Sequence, residues 1–225
     1  MPNILLSAYA GEGETDGRFF GPLIERTVAD ILQNDSDQQI DVYEPEWLGT
    51  AKGADQMVAV YQTAHQHGAY LLILHADTDG RDSAQAKDEK VKPALDRIAD
   101  LKLDSPPVVV PLLPVQETEA WMLADRDVLR EVLGTQLSDQ ELNLYGDPER
   151  YADPKGKLNE ALRVVKEGKG PHLRVDISSL YNRLGQVIPL ESLNRLPSYQ
   201  RFRADLVEAL QQIGYLKARP SRGHG

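Results

Sequence analysis

The chain has 225 residues, no cysteine and a formal charge of −10, which is enough length for one domain, or a core with an appendage, around a sizeable buried core. The lack of cysteine excludes disulfides, thiolate zinc sites and a cysteine nucleophile. No apolar run approaches the roughly 18–20 residues of a membrane span, and no positively charged leader precedes the first apolar segment, so a soluble cytoplasmic protein is expected.

In chain order, Asn3–Tyr9 reads as a first strand. A helix follows from about Asp16 to Gln33, with Phe19, Phe20, Leu23, Ile24, Val28, Ile31 and Leu32 on one stripe and Thr15 or Asp16 as its cap. Gln39–Tyr43 is a short alternating strand, and Ala54–His67 a helix ended by Gly68. Ala69–Ala76 is the most apolar strand and therefore central, because strands buried on both faces read as continuous apolar runs. Ala84–Ala99 is a polar amphipathic helix that Pro93 kinks or interrupts. Pro107–Val115 is a Val-rich strand. This alternation predicts an α/β fold with a parallel-rich sheet flanked by helices.

Beyond Gln116 the pattern turns helical: Glu117–Leu123, Asp127–Leu133 ended by Gly134, Lys155–Lys166, Ile177–Leu184, Leu190–Leu196 and Ser198–Ile213. Asp147-Pro148 and Asp153-Pro154 punctuate a loop, and Ala218–Gly225 is a polar tail expected to fray. The expected organisation is an α/β core over residues 1–125 with a helical C-terminal region, 126–225, packed on it. Charge divides between the two ends. Residues 151–225 hold 13 Lys/Arg against 7 Asp/Glu, whereas residues 1–150 hold 12 against 28. Such asymmetry permits a nucleic-acid-facing region beside an acidic site, and equally a solvated basic face.

Acidic clusters follow three apolar strands. Glu12 stands in Gly11-Glu12-Gly13, with Glu14 and Asp16 beyond it. Glu12 is a candidate metal ligand or general base, while Glu14 and Asp16 suit the first turn of a helix, where the dipole favours acids. Asp77 and Asp79 come directly after Leu71–Leu74, on one side of the chain if extension persists. Paired acids repel and need a cation. Asp82 either adds a ligand or caps the next helix, and His75 reads as a packing or supporting group. Glu117 and Glu119 follow the third strand. In an open α/β sheet, ligands bind outside the carboxyl ends of the strands. Oxygen ligands gathered there suit Mg²⁺ or Mn²⁺ with substrate phosphate completing the shell. Lys155 and Lys157 are candidates to neutralise phosphate charge in a transition state, or else are solvated. There is no P-loop and no Gly-x-Ser-x-Gly elbow.

Glu12-Gly13 after the first strand, with Asp77-x-Asp79 after a later central strand, resembles the TOPRIM core of topoisomerases, primases and OLD-family nucleases. Gly11-Glu12-Gly13-Glu14-Thr15-Asp16 is close to the Glu-Gly-x-Thr-Glu form of nuclease-type members, with Asp16 in place of the last Glu. Along its whole length the chain resembles the bacterial TOPRIM-like domain of unknown function family 4276, through Gln116-Glu117-Thr118-Glu119-Ala120-Trp121…Asp125 and through Ile177-Ser178-Ser179-Leu180 to Leu193, Pro197, Phe202 and Leu206. The resemblance implies a TOPRIM-like fold in which Glu12, Asp77 and Asp79 hold Mg²⁺ or Mn²⁺, with Asp82, Glu117 or Glu119 as further ligands and one or two ions. It implies a nuclease acting on DNA or RNA, the effector of an anti-phage defence system whose ATPase is a separate polypeptide. A non-catalytic partner or regulatory subunit of such a complex is the alternative, and a homodimer stays open. Asp77-Thr78-Asp79-Gly80 also suggests a haloacid-dehalogenase-type phosphatase, but that class carries its Asp-x-Asp after the first strand.

Overall fold

The computed structural model describes residues 4–80, 82–169 and 177–217; the tail expected to fray, and Asn3, lie outside them. A four-stranded, all-parallel sheet has the order β4-β2-β5-β6, from β2 (Ser7–Gly11), β4 (Glu46–Thr50), β5 (Leu71–His75) and β6 (Val108–Leu112). The two residues of β1 (Ile4–Leu5) pair instead with β3 (Asp41–Val42). The first and the central strands are neighbours in this sheet, with Ala10 opposite Leu74. The β4 strand was not foreseen. It is an edge strand interrupted by Gly49 and preceded by Pro45, so its segment carries little alternation to read.

Period-2 alternation sorts the sheet's side chains into two cores. Tyr9, Leu71, Ile73, Val110 and Leu112 face one side, with α1 (Glu14–Asp35) and helices from the C-terminal region. Ala8, Ala10, Leu72 and Leu74 face the other, against α2 (Gly53–Gln66) and α4 (Lys92–Ala99). The β5 strand is buried throughout, as its unbroken apolar run requires.

The expected helix over Ala84–Ala99 is broken. A four-residue α3 (Ser83–Ala86) passes into a π-turn at Lys87–Val91 and then into α4, where Pro93 is the second residue and supplies no N–H to the ladder. The C-terminal helices share the larger core. These are α5 (Thr118–Met122), α6 (Arg126–Leu133), α7 (Pro154–Lys169), α8 (Ile177–Val187), α9 (Leu190–Leu193) and α10 (Pro197–Gln212). Gly134 closes α6 in the left-handed conformation. Along α8, Gly185 lies against the Phe19 carbonyl and Pro22 of α1, and Arg26 donates to the Gly185 carbonyl in its last turn at 2.8 Å and to that of Ile188, just past its end, at 2.7 Å. The edge strand β6 is packed by α10 and tolerates Pro111, whose missing N–H matters little at a sheet edge. Among the described residues no helix is long and apolar enough to cross a membrane.

Candidate functional site

The chain leaves β2 toward β4 and leaves β5 toward β6, on opposite sides. The crevice between the carboxyl ends of β2 and β5 is therefore the switch point of the sheet, where ligands of open α/β folds bind. Gly11 ends β2 beside His75, and a Cβ there would stand 2.9 Å from His75 Nδ1. The next residue, Glu12, emerges into the crevice. The loops after β5 and β6 are joined: Gln116 N–H donates to Thr78 Oγ1 at 2.8 Å, and Asp79 N–H donates to the Gln116 carbonyl at 3.3 Å. Asp79 and Gln116 hold φ values of 50° and 66°, a left-handed conformation that is costly for residues other than glycine and concentrates at functional sites.

Glu12, Asp77 and Asp79 do come together, and they meet a lysine. Lys90, on the π-turn, donates from Nζ to the Asp77 carbonyl at 2.5 Å and to Glu12 Oε1 at 3.2 Å, and lies 2.7 Å from Asp79 Oδ2. Burial would lower its pKa, but the bonds to Asp79 and Glu12 outweigh that and raise it. Asp77 Oδ1 lies 3.3 Å from His75 Nε2, without the alignment of a hydrogen bond. His75 itself is 2% exposed and stacks on Phe20, with ring centroids 4.6 Å apart, in keeping with a packing role.

Behind this group lies a second set of acids. Asp16 has its carboxyl pKa raised by burial and by the nearby Asp77 and Glu119 charges, while His75 and Thr118 oppose the rise. Glu117 is raised by burial, against the Lys155 N–H that bonds its Oε2 at 3.2 Å, and by Glu119 and Asp77. Glu119 is only 2% exposed; it accepts a short hydrogen bond from the Tyr181 hydroxyl and has the Lys155 ammonium 3.5 Å away. Glu119 in turn raises the pKa of Lys155, against burial. Burial first, then Glu119, push the Tyr181 hydroxyl far above the usual phenol range. Asp77 Oδ1 is buried without a hydrogen-bond partner, so the crevice holds a polar atom that its own side chains do not satisfy.

Two other expected site residues stand elsewhere. Asp82 caps α3, its Oδ1 accepting from the N–H groups of Ala84 at 2.8 Å and Gln85 at 2.9 Å, and those bonds lower its pKa. Lys157 sits between aromatic rings, 5.5 Å from the Tyr145 centroid and 5.9 Å from that of Tyr151, with its ammonium bonded to the Asn143 carbonyl at 3.4 Å. The lysine delivered to the acids is Lys155, because residues two apart on a helix point to different sides. Arg203, one of the basic residues of the C-terminal part, pairs with Asp30 of α1 at 2.7 Å.

Asp16, Lys90 and Tyr181 are site residues that the sequence did not single out. Asp16 reads as a helix-start acid, Lys90 as one of several lysines on a polar helix, and Tyr181 as a core aromatic. Among the described residues, no three His, Asp or Glu side chains are gathered closely enough about one point to hold a metal ion. The chemistry of the donor set still suits a hard divalent cation: carboxylates from three adjacent strand ends, an unsatisfied buried Asp77 oxygen, and a lysine ammonium already drawn in between Glu12 and Asp79. Comparison with known proteins finds no matching family model, no matching curated protein and no matching solved structure.

Proposed function

We propose that this chain is a Mg²⁺- or Mn²⁺-dependent nuclease of TOPRIM type, hydrolysing phosphodiester bonds in DNA or RNA as the effector of an anti-phage system with a separate ATPase. The observation that carries the reading is the crowding of Glu12, Asp16, Asp77, Asp79, Glu117 and Glu119 at the switch point of a parallel sheet, where burial first, and then Asp77 and Glu119, raise the pKa of Asp16. Carboxylates gathered at such a place favour a cation among them. Glu12, Asp77 and Asp79 would hold it; such an ion, when bound, offsets the negative charge that builds on the phosphate. The remaining work falls to the chain itself. Glu119, fixed by Tyr181, holds the exposed Lys155 at the rim of the crevice, where its ammonium can meet a substrate phosphate. His75 and Phe20 form a packed floor that keeps water from the back of the site.

Asp77→Asn preserves shape and removes a charge. Cleavage of DNA or RNA with Mg²⁺ or Mn²⁺, with the ATPase present, is expected to fall at least about a hundredfold, with circular dichroism unchanged. Equal cleavage by the variant would rule out these carboxylates as the catalytic centre.

A second reading, a non-catalytic subunit of an ATPase complex, is favoured by one observation: Lys90 already satisfies Glu12 and Asp79. Measurable Mn²⁺ binding that Asp77→Asn abolishes separates the two, since a purely structural cluster has no use for the ion.

A further inference from the structure

The ammonium of Lys90 has an unusual set of partners. It reaches the backbone carbonyl of one acid and the side chains of two others, delivered by the ends of two different strands, at 2.5, 2.7 and 3.2 Å. Its side chain is 22% exposed, so the contact is sheltered from solvent rather than a loose surface pair. Its direction is set by local backbone geometry. Within the π-turn the Lys92 N–H bonds to the Lys87 carbonyl, five residues back, and the extra residue of such a turn rotates what lies on it by about 100° relative to a regular helix. Neighbouring lysines show the contrast: Lys87 lies 3.8 Å from Asp205 and Lys92 pairs with Asp96 on its own helix.

We propose that Lys90 is the resident cation of this cluster, and that a divalent ion enters by exchange with it. Lys90 is thus a positioning residue. It holds Glu12, Asp77 and Asp79 together before the ion arrives, and moves off when they turn to the ion. This inference rests on the metal-dependent reading above. It goes beyond that reading by making a residue of the chain a competitor for the site. The same charge that Glu12 and Asp79 present to Lys90 is what they present to a metal, and one site does not accommodate both charges at contact distance, because like charges a few ångströms apart repel strongly.

The test is a Mn²⁺ titration followed by electron paramagnetic resonance, on wild type, Lys90→Gln and Lys90→Arg, with no nucleic acid present. Lys90→Gln is expected to bind Mn²⁺ about tenfold more tightly or better, since a competing unit charge has been removed. The same variant without metal should unfold at a lower temperature than wild type and regain the difference when Mn²⁺ is added. Lys90→Arg, which keeps the charge, should stay near wild type. Equal or weaker Mn²⁺ binding by Lys90→Gln overturns the exchange. Absence of Mn²⁺ binding in wild type and Lys90→Gln alike overturns the metal-dependent reading instead. Should Lys90→Gln fail to fold, wild type alone decides. The ¹⁵Nζ resonance of Lys90 must move as Mg²⁺ is added, and a resonance that stays in place under saturating Mg²⁺ refutes the proposal.

Discussion

Gly11 lies opposite the His75 ring at the end of two paired strands, and a methyl there would stand 2.9 Å from Nδ1. His75 cannot retreat, being packed on Phe20 and nearly fully buried. Gly11→Ala is therefore expected to destabilise the fold by about 1–3 kcal/mol, as overpacking does, measured as a lower urea midpoint. Asp16 gives a second expectation at this scale, through pH. Its carboxyl pKa is raised in the folded protein, first by burial and then by Asp77 and Glu119, so the folded state binds the proton more tightly than the unfolded chain. Between the ordinary carboxylate range near 4 and the raised folded value, stability falls as pH rises. Asp16→Asn removes that loss, so the variant should gain on wild type as pH rises above the ordinary carboxylate range in urea unfolding; parallel pH profiles would refute the assignment. Asp16 also shows where residue-level reading stops. An acid in the first turn of a helix has a sufficient local explanation in the helix dipole, and only the tertiary placement of α5 beside it reveals the second role. Lys157 and Lys155 make the same point: both follow Asp153-Pro154, and the helix that starts there decides which one faces the acids.

At the scale of elements, the central strand and the amphipathic helices were legible because burial imposes a period. β5 reads as an unbroken apolar run, and α1 carries its stripe from Phe19 to Leu32. The π-turn was not legible. Its residues, Lys-Asp-Glu-Lys-Val, are as polar as any exposed helix, and a one-residue insertion in the hydrogen-bond ladder leaves no mark on composition. β4 escaped for the related reason that an edge strand is half-exposed and needs no strict alternation. The contact between α1 and α8 is a place where sequence gives only a hint, a glycine within a helix, and structure supplies the cause. A Cβ on Gly185 would collide with the Phe19 backbone carbonyl, and close to Pro22 Cγ at 3.0 Å. Backbone cannot rotate aside as a side chain can. Gly185→Ala should therefore cost about 3 kcal/mol, at the upper end of overpacking, and more than the helix propensity of alanine returns. Because α8 carries Tyr181, which holds Glu119, the variant should also weaken Mn²⁺ binding at temperatures where it remains folded. An unchanged unfolding midpoint would show that the two helices slide apart freely.

On the scale of the whole molecule, the excess of acid in residues 1–150 was legible as a count, and the crevice at the switch point is where it becomes specific. The basic balance of residues 151–225 is less simply placed. Arg203 is spent on Asp30, Arg163 on Glu167, and Lys157 on its aromatic slot. A different positive surface emerges between α1 and α8, where Arg18 and Arg183 line a cleft with Ser178, Ser179, Asn182 and Gln186 and, among the described residues, no acid contributes to the lining. Arg18 lies one helical turn from Glu14, and Tyr181 of the same α8 segment reaches Glu119, so this cleft is built on the two helices that also carry Asp16 and Tyr181. A polyanion approaching a protein of formal charge −10 needs such a local exception, since each phosphate contact releases counterions and long-range repulsion opposes the rest. If the chain binds nucleic acid, Arg18→Glu with Arg183→Glu should weaken binding of a labelled single- or double-stranded oligonucleotide by at least about tenfold at 50 mM salt. The slope of log K against log salt should become shallower by about one to two, while Mn²⁺ binding stays as in wild type. Lys157→Ala, which removes a lysine already engaged by Asn143 and two tyrosines, should leave both measurements nearly unchanged. The reverse ranking, with Lys157 dominant and the arginine pair silent, would move the nucleic-acid path to the face of α7 and away from α8.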